Sequence, residues 1–256
     1  MALLRVEGVS KRFGGVTALS DVTCAIERGS IVGLIGPNGA GKTTLFNCIT
    51  GVLRADGGRI RFGLDGGEEL VGLPPHDVAQ CGIARTFQNI RLFANLPVIE
   101  NVMLGTHIRT KTTLWDALFQ WRKTRRETRW AEERAFGLLR WLGLADYARV
   151  TAAHLPYGLQ RRLELARALA ADPELLLLDE PAAGLTSQER QQLLAFLREL
   201  QKQGLTILLI EHDMQVVMPV SDWVIVLDDG AKIAEGPPAD IQRNPTVIEA
   251  YLGPRT

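Results

Sequence analysis

The chain has 256 residues, and 29 Lys and Arg residues balance 29 Asp and Glu residues, so its formal net charge is zero. Hydrophobic residues make up 46% and charged residues 23%, which is typical of folded domains and unlike disordered chains. The balanced charge disfavours a protein whose main role is electrostatic binding to nucleic acid. No window approaches the roughly 18 consecutive apolar residues of a membrane span. Cys24, Cys48 and Cys81 form no C-x-x-C motif, which favours a reduced, cytosolic protein.

The first part of the chain predicts strands on either side of a strand-turn-helix segment. Apolar residues alternate with polar neighbours across 22–26, and again at Ile60 and Phe62, which predicts half-buried antiparallel strands. Between them, the apolar run 31–35 enters a glycine-rich turn. A helix is predicted from about Lys42 to Ile49.

This turn carries the sequence GPNGAGKTT, which matches the G-x-x-x-x-G-K-T pattern of a phosphate-binding loop. Its glycines let consecutive backbone N–H groups turn inward around an anion, and the helix N-terminus adds positive potential. We expect Lys42 to reach the β- and γ-phosphates of a nucleotide and the Thr43 hydroxyl to ligate Mg²⁺. The nucleotide-binding residues predicted here are Gly36, Pro37, Asn38, Gly39, Ala40, Gly41, Lys42, Thr43 and Thr44.

The middle of the chain, from about Leu96 to Ala170, shows helical patterns and none typical of a strand. We therefore predict a helical subdomain inserted into an α/β core. Within it, the tryptophan-rich stretch 109–134 holds eight basic and four acidic residues. This stretch is interpreted either as a solvated helix face or as a surface that meets another subunit or anionic lipid head groups.

Two continuous apolar runs follow, LLLLD at 175–179 and TILLIE at 206–211, with a helical pattern between them. Strand, helix and strand with fully apolar strands predict a parallel sheet covered on both faces. A closing hairpin is predicted around Asp229-Gly230.

Ionisable residues stand where these two strands end, at the edge of a sheet where ligands bind. We expect Asp179 to hold Mg²⁺ through water and Glu180 to polarise a water for in-line attack on the γ-phosphate. His212 is expected to contact the γ-phosphate and its attacking water. The alternatives are a solubilising carboxylate pair and an ordinary surface histidine.

The phosphate loop, Gln88 in RTFQN, LPYGLQRR, LLLLDEP and EHD occur in the order found in the nucleotide-binding domains of ABC transporters. Within that superfamily the chain resembles the ATPase of branched-chain amino-acid importers (LivG type), through RFGGVTAL, GIARTFQNIRLF, VIENVMLGTH and NPTVIEAYLG. The resemblance covers essentially the whole chain. It implies an α/β P-loop NTPase core of the ABC ATPase type, with an antiparallel β subdomain and an inserted α-helical subdomain. The implied single domain spans 1–256, divided into 1–87, 88–170 and 171–256.

The resemblance also implies roles for further residues. Phe13 would stack on adenine, the alternative being a core aromatic. Gln88 would join the Mg²⁺ shell and the attacking water, and would couple the site to the membrane subunit. The signature segment would contact the γ-phosphate of a nucleotide bound by a partner subunit; it contains Tyr157, Gly158, Leu159 and Gln160. The implied catalytic residues are Glu180, His212 and Gln88, and the implied metal ligands are Thr43, Gln88 and Asp179.

The chain departs from the superfamily pattern at two places. The usual signature Leu-Ser-Gly-Gly-Gln is replaced by LPYGL at 155–159, which puts Pro156 in the place of the serine and Leu159 in that of the glutamine. The loop expected at the dimer seam, 183–186, ends in Thr186 where Asp is usual. Both departures leave open how this chain treats a nucleotide held by its partner.

The resemblance implies an ATP- and Mg²⁺-dependent subunit that powers import of branched-chain amino acids, peripheral on the cytoplasmic face of the membrane. Its partners would be a second ABC ATPase subunit (a distinct homologue or a second copy), two membrane permease subunits and, indirectly, a periplasmic or extracellular solute-binding protein, with no nucleic acid. The alternatives are an ABC ATPase for urea, a polar amino acid or lipopolysaccharide, or a soluble ABC ATPase outside transport.

Overall fold

The computed structural model describes residues 1–64, 66–88, 90–106 and 121–252 of the chain. Two compact units can be distinguished. The first combines Met1–Arg85 with the chain from Glu174 onward, and the second is Thr86–Pro173. The division of a single domain at residues 87 and 170 remains a prediction from the sequence.

The first unit contains two sheets. In chain order, the strands described are β1 (Ala2–Phe13), β2 (Val16–Glu27), β3 (Ile31–Ile35), β4 (Gly57–Phe62), β5 (Glu68–Glu69), β6 (Ile83–Arg85), β7 (Leu175–Asp179), β8 (Thr206–Ile210), β9 (Trp223–Asp228) and β10 (Ala231–Gly236). One sheet has the strand order β2-β1-β4-β5 and the other β10-β9-β3-β8-β7-β6.

The four-stranded sheet is antiparallel throughout, as the alternating sequence pattern predicts. In β2, Val22, Cys24 and Ile26 are buried, while the residues between them are exposed. In β4, Ile60 and Phe62 are buried on the same principle. One face of this sheet therefore contributes to the core and the other remains in solvent.

The six-stranded sheet is parallel except at one edge. Neighbouring strands from β6 to β9 run parallel, and β10 pairs antiparallel with β9. Every residue of β3, β7 and β8 is buried, which explains their uninterrupted apolar sequences. The hairpin turns at Asp229 and Gly230, whose φ angles of 43° and 77° suit a tight turn of this kind.

Helices cover the strands of the first unit and build the second. In chain order, the helices described are α1 (Lys42–Ile49), α2 (Pro75–Gln80), α3 (Val98–Thr106), α4 (Trp121–Trp141), α5 (Tyr157–Ala170), α6 (Ser187–Lys202), α7 (Met214–Val220), α8 (Pro238–Ile241) and α9 (Pro245–Leu252). Helices α3, α4 and α5 lie in the second unit and contact one another. The fold class inferred from the sequence, an α/β core with an antiparallel sheet and an inserted helical part, is confirmed.

The basic, tryptophan-rich stretch 109–134 falls only in part within the described residues. Residues 109–120 lie outside the described residues, so the prediction that this stretch meets a subunit or lipid remains open. In the described part of α4, Arg129 and Glu133 form an exposed ion pair at 3.2 Å. The Arg134 guanidinium lies 5.9 Å from the centre of the Trp130 ring. Over the described part of the chain, no helix is both long and apolar enough to span a membrane.

Thr186, the residue that departs from the usual aspartate, caps helix α6. Its hydroxyl oxygen accepts a hydrogen bond from the Glu189 N–H at 3.3 Å, and the Glu189 carboxylate accepts from the Thr186 N–H at 2.9 Å. This reciprocal capping box satisfies backbone donors that the first helical turn leaves without partners. A hydroxyl at this position therefore has a structural reason within the chain.

We expect Thr186→Ala to lower the free energy of unfolding by about 0.5–2 kcal/mol, because the capping acceptor is lost. Thr186→Ser keeps the hydroxyl and serves as the control, with a change of no more than a few tenths of a kcal/mol. Urea denaturation followed by circular dichroism measures both. Equal losses from the two substitutions would show that the cap contributes nothing.

Candidate nucleotide-binding site

The arrangement of three parallel strands assembles the site in the first unit. Strand β8 lies between β3 and β7 and is parallel to both. The carboxyl ends of neighbouring parallel strands meet at one edge of the sheet, which is where α/β folds bind ligands. The phosphate loop follows β3, Asp179 ends β7 with Glu180 directly after it, and His212 follows β8. These motifs, the first of which begins 176 residues before His212, are therefore brought to one edge.

The phosphate loop needs glycine at Gly36 and Gly41 for steric reasons. Their φ angles are 149° and 95°, in the region that side chains disfavour. A Cβ atom on Gly36 would lie 2.0 Å from the Leu227 carbonyl oxygen, and one on Gly41 would lie 2.5 Å from the Ala18 carbonyl oxygen. The loop thus packs against neighbouring backbone before it turns into α1, whose first N–H groups favour an anion.

The Lys42 side chain folds back over this loop. Its ammonium group donates hydrogen bonds to the carbonyl oxygens of Gly36 at 2.7 Å and Pro37 at 2.8 Å. Burial lowers the pKa of Lys42, whereas the carboxylates of Glu180 and Asp179 act in the opposite direction. The predicted lysine and the two predicted carboxylates therefore belong to one electrostatic cluster.

Asp179 is only 3% exposed, and its charge is compensated by a residue that the sequence analysis did not assign. Arg85, at the end of β6, donates to Asp179 Oδ2 at 2.8 Å. It also donates to Asn47 at 2.6 Å and to Thr50 at 3.2 Å. A single arginine at the end of a three-residue strand gives little signal in sequence, and its partner is 94 residues away.

Glu180 has a backbone conformation that is uncommon for a residue with a side chain. Its φ is 49°, and its N–H donates to the Ile210 carbonyl oxygen at 3.0 Å, which ties it to the end of β8. Its carboxylate Oε1 lies 3.8 Å from Nδ1 of His212. The two residues predicted to handle the attacking water are thus neighbours.

Glu211, next to His212, is a second residue near the candidate site that the sequence did not predict. It is 2% exposed, and its carboxylate accepts the Ala182 N–H at 2.9 Å. Burial raises the pKa of Glu211. The EHD motif at 211–213 predicted a role for the histidine only. The burial of the glutamate depends on how the strands pack and is evident only in the folded sheet.

Phe13 ends β1 and is 47% exposed, which disfavours the alternative that it is a core aromatic. The ammonium group of Lys11 lies 5.5 Å from the centre of its ring. An exposed aromatic face is suitable for stacking on a planar base.

Gln88 and the signature residues belong to the second unit, whereas the phosphate loop belongs to the first. Pro156 precedes α5 without a side-chain cap, and Tyr157 exposes its ring at the start of that helix. The Gln160 side chain donates to the Leu155 carbonyl oxygen at 2.9 Å. Gln160 therefore hydrogen-bonds to its own helix start.

Comparison with known proteins agrees with this geometry. The ABC transporter family model matches residues 19–183, and the model of the branched-chain amino acid ATP-binding cassette transporter matches residues 231–253. The chain belongs to the ABC transporter family. It is therefore an ABC ATPase, which binds and hydrolyses ATP.

Full-length relatives and solved structures support this ABC ATPase assignment. The chain is 46% identical to the high-affinity branched-chain amino acid transport ATP-binding proteins BraF of Pseudomonas aeruginosa and LivG of Escherichia coli, over 98% of each chain. A nucleotide-free ATP-binding cassette from an ABC transporter matches with a TM-score of 0.83 at 31% identity, covering 99% of this chain and 100% of that one. An ADP conformation of such a cassette matches with a TM-score of 0.83 at 32% identity and the same coverage.

We expect Arg85→Met to lower the free energy of unfolding by about 3–5 kcal/mol, because the buried Asp179 would lose the guanidinium that donates to it at 2.8 Å. Arg28→Met is the matched control: Arg28 pairs with Glu174 at the same 2.8 Å, but both side chains are 49% exposed. Such a surface pair contributes about 0–1 kcal/mol. Urea denaturation measures both variants, and similar losses would contradict a structural role for the buried pair.

Proposed function

We propose that this ABC ATPase powers the import of branched-chain amino acids, as a peripheral subunit on the cytoplasmic face of the membrane. The observation that carries the ATPase part is the joint position of the phosphate loop, Asp179, Glu180 and His212 at one sheet edge. The cargo is supported by the names of the full-length relatives and by the family match at residues 231–253.

Glu180 is proposed as the general base of hydrolysis. Its carboxylate takes a proton from water while the water oxygen bonds to the γ-phosphorus and the bond to the β,γ-bridging oxygen breaks. His212, 3.8 Å from Glu180, contacts the γ-phosphate and helps to hold this water. Lys42 stabilises negative charge on the β- and γ-phosphates as the bridging oxygen leaves.

The residues at the site also fit Mg²⁺. Thr43 offers a hydroxyl at the start of α1 and Asp179 a carboxylate at the end of β7, and oxygen ligands of this kind are what Mg²⁺ prefers. Gln88 is proposed as a further ligand. When bound, the ion neutralises charge on the phosphates. Arg85 fixes the Asp179 carboxylate for this purpose through its hydrogen bond at 2.8 Å.

Two ATPase subunits are proposed to sandwich ATP between them. Gly36 to Thr44 cradle the phosphates and Phe13 stacks on adenine. Tyr157, Gly158 and Gln160 then contact the γ-phosphate of the ATP that is bound by the partner subunit. Because Pro156 cannot donate the hydrogen bond of the usual serine, this chain offers a weaker signature. We therefore propose that the partner subunit is a distinct homologue with its own signature, and not a second copy of this chain, so that the two nucleotide sites are unequal.

The remaining proposed partners are two membrane permease subunits and, indirectly, a periplasmic or extracellular solute-binding protein. Gln88 is proposed to pass the closing and reopening of the ATPase pair to the permeases. The balanced charge of 29 basic and 29 acidic residues supports a partner set without nucleic acid.

We expect Glu180→Gln to keep ATP binding but to lower ATP turnover by roughly 10²–10⁴-fold, because the general base is lost. Lys42→Ala provides the contrast, since it should weaken binding itself. Calorimetry measures ATP affinity, and phosphate release by the assembled transporter measures turnover. Unchanged turnover of Glu180→Gln in the presence of the partners would refute the assignment.

The cargo is tested with the complete transporter, reconstituted in proteoliposomes with its permeases and solute-binding protein. We expect ATP-dependent uptake of radiolabelled leucine, isoleucine and valine, and no uptake of urea or a polar amino acid. The same vesicles with Glu180→Gln should lose uptake by the factor seen for ATP turnover. Uptake of urea or a polar amino acid instead would keep the ATPase assignment and overturn the cargo.

A further inference from the structure

A segment of the second unit that contains Gln88 is held along one side of helix α5. This glutamine segment comprises residues 87–91, of which 87, 88, 90 and 91 are described. Glu164 of α5 is 1% exposed. Its carboxylate accepts the N–H of Phe87 at 3.3 Å and that of Arg91 at 3.4 Å.

Two arginines of α5 bind the carbonyl groups of the same segment. Arg161 donates to the carbonyl oxygen of Phe87 at 3.0 Å and to that of Gln88 at 2.7 Å. Arg167 donates to the carbonyl oxygen of Arg91. Backbone donors and acceptors of the segment thus both find charged partners on α5.

Arg161, Glu164 and Arg167 are three residues apart along α5 and so lie on one face of the helix. Arg161 and Glu164 also approach each other to 3.5 Å. Burial raises the pKa of Glu164, and the segment N–H groups and the two arginines oppose this effect. Removing one member would leave buried charge without its partners, which makes the set act as a unit.

We call Arg161, Glu164 and Arg167 together the clamp. The clamp fixes the backbone of Gln88 to the helix that begins with the signature residues Tyr157 and Gly158. A shift of the glutamine segment must therefore either carry α5 with it or break several charge-assisted hydrogen bonds, which are stronger than neutral ones. Without these contacts, the glutamine segment could change its conformation on nucleotide binding while α5 stayed in place.

We propose that Arg161 and Glu164 are positioning residues that join the glutamine segment and the signature helix into one mechanical element. Through it, ATP on this chain's phosphate loop alters the signature that faces the partner's ATP. The proposal rests on the proposed function, in which Gln88 serves the former site and Tyr157–Gln160 the latter. It assigns the coupling of the two sites to residues that contact neither nucleotide.

The test is hydrogen–deuterium exchange of the full chain in the Glu180→Gln background, where bound ATP persists, at a concentration at which light scattering shows a monomer. We expect ATP to slow exchange both in the glutamine segment and at Tyr157–Gln160. With Arg161→Gln, the segment should exchange about tenfold faster without nucleotide, as expected when hydrogen bonds to a charged group are lost. The ATP response at Tyr157–Gln160 should disappear.

Three further variants separate coupling from a general loss of stability. Arg129→Gln removes the same charge from an exposed position on α4 and should leave both responses intact. Arg161→Lys keeps one donor and should restore part of the response. Glu164→Leu should match Arg161→Gln; if it does not fold, Arg161→Gln and Arg161→Lys still decide the outcome.

An unchanged ATP response at Tyr157–Gln160 in Arg161→Gln would overturn the proposal, as would the absence of that response in the parent when calorimetry shows that ATP binds. Absence of ATP binding itself would overturn the proposed function together with the coupling, so the two failures can be told apart.

In the assembled transporter, Arg161→Gln should lower kcat by about tenfold or more with little change in KM for ATP.

Discussion

The parallel pairing of β8 with β3 on one side and β7 on the other is the constraint on which the nucleotide site depends. It places the phosphate loop, the Asp179-Glu180 pair and His212 at a single sheet edge, although each motif comes from a different part of the chain. The pairing is secured because every residue of the three strands is buried. A slip of one residue in β7 would turn the Asp179 carboxylate to the opposite face of the sheet, away from Arg85.

Charges collected at such an edge are costly unless each has a nearby counterpart. Asp179 has Arg85, Glu211 has the Ala182 N–H, and Lys42 has two loop carbonyls as well as the surrounding carboxylates. These partners hold the groups in place before a nucleotide arrives. Preorganised charge of this kind is what phosphoryl transfer requires, because little covalent chemistry is left to the protein.

The second unit uses the same principle for a different purpose. Its helix α5 satisfies the backbone of the glutamine segment with a buried carboxylate and two guanidinium groups. A segment held in this way keeps a defined geometry without regular secondary structure. Under the proposed coupling, a shift of this segment moves α5 as well, because separate movement would break these charge-assisted hydrogen bonds.

Local sequence patterns were enough to predict the fold class and the strands at whose ends the candidate site residues lie. Period-two alternation predicted β2 and β4, continuous apolar runs predicted β7 and β8, and the glycine pattern at 36–44 predicted the phosphate loop. These features rest on local periodicity and short-range turn chemistry, which a sequence displays directly. Only the tertiary structure revealed that Arg85 pairs with Asp179 and that the buried Glu211 accepts the N–H of Ala182. It also revealed the clamp formed by Arg161, Glu164 and Arg167. Each of these depends on partners 29 to 94 residues away, and an isolated charged residue carries no signal of where its partner will lie once the chain has folded.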